Sequence, residues 1–177
     1  MAKNLVIVES PAKGKTIEKF LWPDYQVVAS MGHIRDLPAS TLGINIDEGF
    51  VPEYEITQEK KKTVDSLKKM AKTASQVWIA TDEDREWEAI GWHLCYALWL
   101  DTTTTKRIVF HEITENAIQT AMAHPRTIDM QKVNSQIARQ VLDLLVGYTI
   151  SPILWKFISK TTEHSLSAGR CQTPALK

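Results

Sequence analysis

Long apolar runs are missing from this 177-residue chain: the N-terminus leads only into a short one, and no stretch nears the ~18 residues of a membrane span. Cysteine is scarce as well. Cys95 and Cys171 are the only two, in no C-x-x-C or Cys/His spacing, which excludes a zinc ribbon and reads as free thiols in a reducing compartment. Net charge is also lacking, with 21 basic residues against 21 acidic ones. That balance excludes a uniformly basic nucleic-acid coat and leaves room for a local basic cleft. Internal repeats and low-complexity segments are absent. The expectation is a soluble, cytoplasmic protein with an ordinary core.

What is present is concentrated. Ala80-Thr81-Asp82-Glu83-Asp84-Arg85-Glu86-Trp87-Glu88 places Asp82, Asp84 and Glu86 within five residues. Gln76–Ala80 before it reads as a buried strand, and a helix to about Trp99 follows. Residues two apart on an extended backbone point the same way, so Asp82 and Asp84 project together from the strand end. Hard oxygens at an open strand-to-helix turn suit Mg²⁺, which takes one or two carboxylates and keeps waters for a phosphate ligand.

Around this motif strands and helices alternate. Leu5–Val8 reads as a buried strand ending at Glu9. Ser10-Pro11 starts a helix over Ala12–Leu21, and Tyr25–Ala29 is a second strand. Met31–Asn45, with Gly32, Pro38 and Gly43, reads as loop. A helix over Glu59–Thr73 has Val64 and Leu67 on its apolar face. Its lysines, Lys60, Lys61, Lys62, Lys68, Lys69 and Lys72, read as a solvated face or, more sharply, as a phosphate-attracting one. Strand Arg107–Phe110 and a helix capped by Thr114 complete an α/β domain with a mostly parallel sheet. From Asp129 the pattern is helical only, with an apolar stripe of Val133, Ile137, Val141, Leu144 and Tyr148. Ser151-Pro152 is expected to restart the chain as a separate short helix. The domain change is expected near Thr127, giving domains over 1–127 and 128–177.

In an open parallel sheet ligands bind beyond the carboxyl ends of the strands, so Glu9 and Asp82 converge if their strands are neighbours. Glu9 can then share a metal or exchange a proton with a phosphoester oxygen. Lys13, in the first turn after Pro11, can give a phosphate a point charge beside helix N-terminal amides. Arg139 and Asp143, spaced i, i+4, can form either a surface pair or a phosphate fork held in place by the carboxylate.

Six ordered segments resemble the N-terminal part of a type IA DNA topoisomerase. They are Leu5–Lys13, Gly32–Pro38, the acidic motif Thr81–Glu86 of the Toprim fold, Phe110–Thr114, Val146-Gly147-Tyr148 with Ser151-Pro152, and Leu166–Arg170. The resemblance implies a Toprim domain followed by the start of a helical domain that grips DNA. It implies cleavage of one strand through a 5′-phosphotyrosyl link, passage of another, and religation. Glu9 would assist proton transfer and Lys13 would stabilise the scissile phosphate. Glu9, Asp82, Asp84 and Glu86 would hold Mg²⁺. Arg139, Asp143, Arg170 and Gln172 would line a groove for single-stranded DNA, with His33 and Arg35 near the cleft. Negatively supercoiled DNA and the missing C-terminal portion of the same enzyme are the implied partners, in the cytoplasm at the nucleoid.

The sequence also departs from the family pattern. The family's nucleophile sits in a Tyr-x-Arg-Thr-type segment, and Tyr25, Tyr54, Tyr96 and Tyr148 do not match it, so the chain is expected not to cleave by itself. Trp87 stands where the family has glycine, and its indole is either buried with Ile90, Leu94 and Leu98 or displaces the acidic turn. Gln140 replaces an arginine that many relatives carry. The alternatives are a non-catalytic nucleic-acid-binding module with a metal site impaired by Trp87, or another Toprim enzyme such as a primase or nuclease.

Overall fold

The computed structural model describes residues 4–158 and 166–169. Its centre is a four-stranded sheet of β1 (Asn4–Val8), β2 (Tyr25–Ala29), β7 (Gln76–Ala80) and β8 (Lys106–Ile108), ordered β2-β1-β7-β8 and parallel throughout. The continuous apolar runs of β1 and β7 suit central strands covered on both faces. Leu5, Val6, Ile7 and Val8 are all essentially inaccessible. Their side chains alternate between two layers. Val6, Val8, Trp78, Ala80 and Ile108 pack with Ile17 of α1 (Pro11–Glu18) and with Ile118 and Met122 of α4 (Glu115–Ala123). On the other face α3 (Arg85–Leu98) comes so close that a Cβ at Gly91 would lie 3.5 Å from Ile79 Cγ2. α2 (Lys61–Thr73), beside it, buries Val64 and Leu67. The result is an α/β/α arrangement.

From β1 the chain moves outward to β2, and from β7 it moves outward the other way to β8. The direction of winding therefore reverses between β1 and β7. Such a switch point opens a crevice beyond the carboxyl ends of the two strands.

Several local expectations shift. Helix α1 stops at Glu18 instead of Leu21, closed by the bond from Phe20 N to Ile17 O. The Met31–Asn45 loop contains the two-residue strands β3 (Arg35–Asp36) and β4 (Ile44–Asn45), paired with β6 (Glu55–Ile56) and β5 (Val51–Pro52). Ser151-Pro152 does not restart the chain. α5 runs unbroken over Met130–Phe157 with Pro152 inside it. Proline there removes one backbone hydrogen bond without ending an otherwise helical run. Against the expectation that no stretch nears the length of a membrane span, α5 is long and apolar enough to cross one by length and composition alone.

The chain forms two compact units, Met1–Asp36 with Glu55–Asn134, and Leu37–Tyr54 with Ser135–Lys177. The sheet belongs to the first. In the second, most of α5 accompanies the β4–β5 hairpin, and Tyr54 Oη donates to Gln140 Oε1 at 2.8 Å.

Candidate active site

Glu9 leaves β1 at the switch point and is 5% exposed. Ser10 then caps α1, its hydroxyl accepting from Lys13 N. Gly14 lets this helix lie close to the sheet, since a Cβ there would stand 3.2 Å from Val8 Cγ2. That approach brings Lys13 over the strand ends. Its ammonium pairs with Glu9 Oε1 and reaches Asp82 Oδ2 at 2.7 Å. Partial burial works against the lysine charge, but the bonds to Asp82 and Glu9 outweigh it and raise the Lys13 pKa. The loop after β2 is tied to the same place. Ser30 N and Oγ both donate to Val8 O, and Gly32 N donates to Glu9 O. Met31 and Gly32 both take positive φ there, a conformation that costs methionine energy and glycine little.

The acidic motif divides its work. Asp82, at the end of β7, faces Lys13. Asp84 is the N-cap of α3, its Oδ1 accepting from Trp87 N at 2.8 Å. Glu86 sits in the first turn of α3. Glu83 turns to the basic groups, 3.1 Å from Arg126 Nη1 and 3.3 Å from Lys132 Nζ, which hold its carboxyl below the usual range. The sequence groups Asp82, Asp84 and Glu86 with Glu9 as one metal cage. In the structure Glu9 and Asp82 share a cationic partner, whereas Asp84 commits one oxygen to the helix cap. Among the described residues no three His, Cys, Asp or Glu side chains are gathered closely enough to hold a metal ion. Glu9 Oε2 is nevertheless buried with no hydrogen-bond partner. Next to the half-exposed Asp82 it makes a pair of hard oxygens that fits Mg²⁺, an ion that completes its shell with water and phosphate.

Trp87 has regular helical geometry and no positive φ. The indole site is partly buried, and Ile90, Leu94 and Leu98 beyond it are buried. The turn therefore does not depend on the backbone freedom of a glycine.

Arg107, Glu88 and Arg126 carry roles that the sequence reading missed. Arg107 is fully buried in β8. Its Nε meets Glu88 Oε1 at 3.0 Å, Nη1 donates to Thr81 O, and Nη2 donates to Asp82 O at 3.0 Å. It thus holds the backbone of the acidic loop. Glu88 also accepts from Arg126 Nη2 and from Asp129 N. The signal was available: an arginine within an apolar strand and a glutamate on the inward face of a helix must be paired if buried.

The remaining expected residues are placed as follows. His33 is exposed, while Arg35 is buried with its guanidinium 3.8 Å from the Tyr96 ring centre. Beneath it His93 is buried on α3, and its pKa falls to about 3 through burial first and then the charges of Arg35 and His33. Arg139 and Asp143 lie in the second unit, with Nε and Oδ2 3.9 Å apart. Arg170, Gln172 and Cys171 fall outside the described residues, and Cys95 is a buried free thiol.

A buried acid, a lysine and an acidic loop at the switch point of a parallel sheet are the arrangement of a Toprim-type α/β domain. The Toprim domain family model matches residues 4–113, and the DNA topoisomerase family model matches residues 127–177. The chain belongs to the Toprim family, and its two regions together are those of the N-terminal part of a type IA DNA topoisomerase. It is 54% identical over its full length to DNA topoisomerase 1 of Campylobacter jejuni, and spans 25% of that protein. Full-length topoisomerase I from Thermotoga maritima superposes with a TM-score of 0.88 at 46% identity, over 97% of this chain and 29% of that one.

Proposed function

We propose that this chain supplies the acidic half of the cleavage and religation site of a type IA DNA topoisomerase, binding Mg²⁺ and single-stranded DNA. The observation that carries this reading is the Lys13 ammonium, shared by Glu9 and Asp82 at the switch point between β1 and β7. Lys13 can turn from these carboxylates to a non-bridging oxygen of a bound phosphodiester. Glu9, buried and with one oxygen unpartnered, is suited to exchange a proton with a phosphoester oxygen. Bound Mg²⁺, held by Glu9 and Asp82 with Asp84 and Glu86 nearby in sequence, would supply the charge that favours religation. Residues 1–127 form the Toprim domain in this reading, and 128–177 begin the helical domain, where Arg139, Asp143, Arg170 and Gln172 contact the strand. His33 and Arg35 flank the cleft, Arg35 by positioning α3. The tyrosine nucleophile comes from another part of the enzyme. The enzyme works in the cytoplasm, on negatively supercoiled DNA.

The alternatives are not favoured. A primase or nuclease does not account for the topoisomerase match over 127–177. The impaired-module reading is weakened by the regular geometry of Trp87.

Titrating a single-stranded oligonucleotide at rising Mg²⁺ tests the proposal. Affinity rises with Mg²⁺ for the wild type, and Asp82→Asn removes that dependence. Identical, Mg²⁺-independent binding by both proteins would contradict it.

A further inference from the structure

The acidic site leaves unexplained the concentration of lysine on α2. The chain is neutral overall, yet between Gln58 and Thr73 six lysines stand against only Glu59 and Asp65. Val64 and Leu67 face the core, so Lys61, Lys62, Lys69 and Lys72 are left exposed. Two of the lysines are organised around one aromatic ring. Lys68 Nζ stands 4.5 Å, and Lys72 Nζ 5.8 Å, from the ring centre of Trp99.

Trp99 is itself anomalous. It closes α3 in the left-handed conformation, φ 57°, with Leu100 N bonded back to Cys95 O. Helices usually place glycine at that position, and a bulky residue there is strained. The strain brings no burial in return, since Trp99 is 74% exposed. With the ammonium groups of Lys68 and Lys72 over its ring, and most of its surface still exposed, the indole keeps aromatic area on which a base can stack beside a phosphate track. Next to it opens a cleft of about 280 Å³ whose lining includes Ser75, Gln76, Asp101 and Thr104. Asp101, fixed by Thr103 N and Oγ1, would repel a phosphate but can accept from a base edge.

The patch is remote from Glu9 and Asp82. α3 begins at the acidic loop and runs 14 residues, about 20 Å, before reaching Trp99. α2 likewise ends just before the first residue of β7. Trp99, Lys68 and Lys72 therefore lie at the amino edge of the sheet, opposite the carboxyl-edge crevice.

We propose that Trp99 with Lys68, Lys69 and Lys72 forms a second binding surface for single-stranded DNA. One unpaired base stacks on the indole, and the flanking phosphates run along α2. The contact is independent of base sequence, because every base offers a π-face and the lysines meet only the backbone. An acidic protein segment would satisfy the charges but has no use for a strained indole.

The test uses the full chain and a bromodeoxyuridine-substituted oligothymidylate, with photo-cross-linking and affinity measured across a salt series. A cross-link maps to the peptide containing Trp99. Trp99→Gly lowers affinity about tenfold without lowering the melting temperature, since glycine suits that φ, and Trp99→Phe restores part of the loss. Lys68→Gln, Lys69→Gln and Lys72→Gln together reduce the slope of log affinity against log salt by about 2. Arg139→Ala keeps the Trp99 cross-link, which separates this surface from the groove proposed above. Unchanged affinity in Trp99→Gly, cross-links confined to other peptides, or competition by polyglutamate as effective as by the oligonucleotide would overturn the proposal.

Discussion

Arg107 Nε and Glu88 Oε1 lie 3.0 Å apart with both side chains entirely buried. A buried pair adds little over an apolar one, but removing one partner strands a charge in the interior and costs about 3–5 kcal/mol. Here the arginine also holds the carbonyls of Thr81 and Asp82, so its loss reaches the acidic loop.

Glu88→Gln is therefore expected to lower stability by about 3 kcal/mol in urea unfolding. Arg107→Met should cost a similar amount and in addition weaken Mg²⁺ binding. The double variant Glu88→Leu with Arg107→Met should recover only part of the stability, because Arg126 Nη2 and Asp129 N still lose their acceptor, and should not recover the Mg²⁺ affinity. Full recovery of both would show that the pair serves the fold alone.

Trp87→Gly restores the family's glycine. Position 87 is helical and its N–H completes the Asp84 cap, so glycine should cost about 1 kcal/mol of stability. Mg²⁺ affinity should remain within about twofold. A large gain in affinity on calorimetric titration would mean that the indole does obstruct the acidic turn.

His93 predicts a pH dependence. Its pKa in the fold, about 3, lies well below the ordinary 6.5. The unfolded chain therefore takes up a proton that the folded chain refuses. Stability from this group is complete above pH 6.5 and declines as pH falls, by about 2 kcal/mol between pH 6.5 and 5. Urea unfolding of His93→Gln should show a lower plateau and lose that slope. An unchanged slope would assign the acid sensitivity elsewhere.

Much of this was legible in the sequence because local rules and tertiary demands agree. The run Leu5–Val8, the Ser10-Pro11 helix start and the Thr114 cap each predict what the structure contains. The convergence of Glu9 with Asp82 followed from topology, since it required only that β1 and β7 be neighbours. Three things were hidden. The Lys13 bridge depends on how closely Gly14 lets α1 approach the sheet, which spacing does not encode. Asp84 reads in the sequence as a metal ligand, whereas in the structure it caps α3, which takes one of its oxygens. Arg35 looks like a loop cation for DNA, yet it stacks on Tyr96 because α3 presents an aromatic face just where β3 passes. Pro152 misled in the opposite direction, by marking a break that the helix does not make.

In the proposed site Glu9 and Asp82 hold a cation whose place the Lys13 ammonium takes in this structure. Calorimetric Mg²⁺ titration of the wild type, Asp82→Asn and Lys13→Met tests it most directly. Binding should weaken at least tenfold in Asp82→Asn, and should tighten severalfold in Lys13→Met, where the competing ammonium is gone. Equal Mg²⁺ affinity in all three proteins would contradict the account.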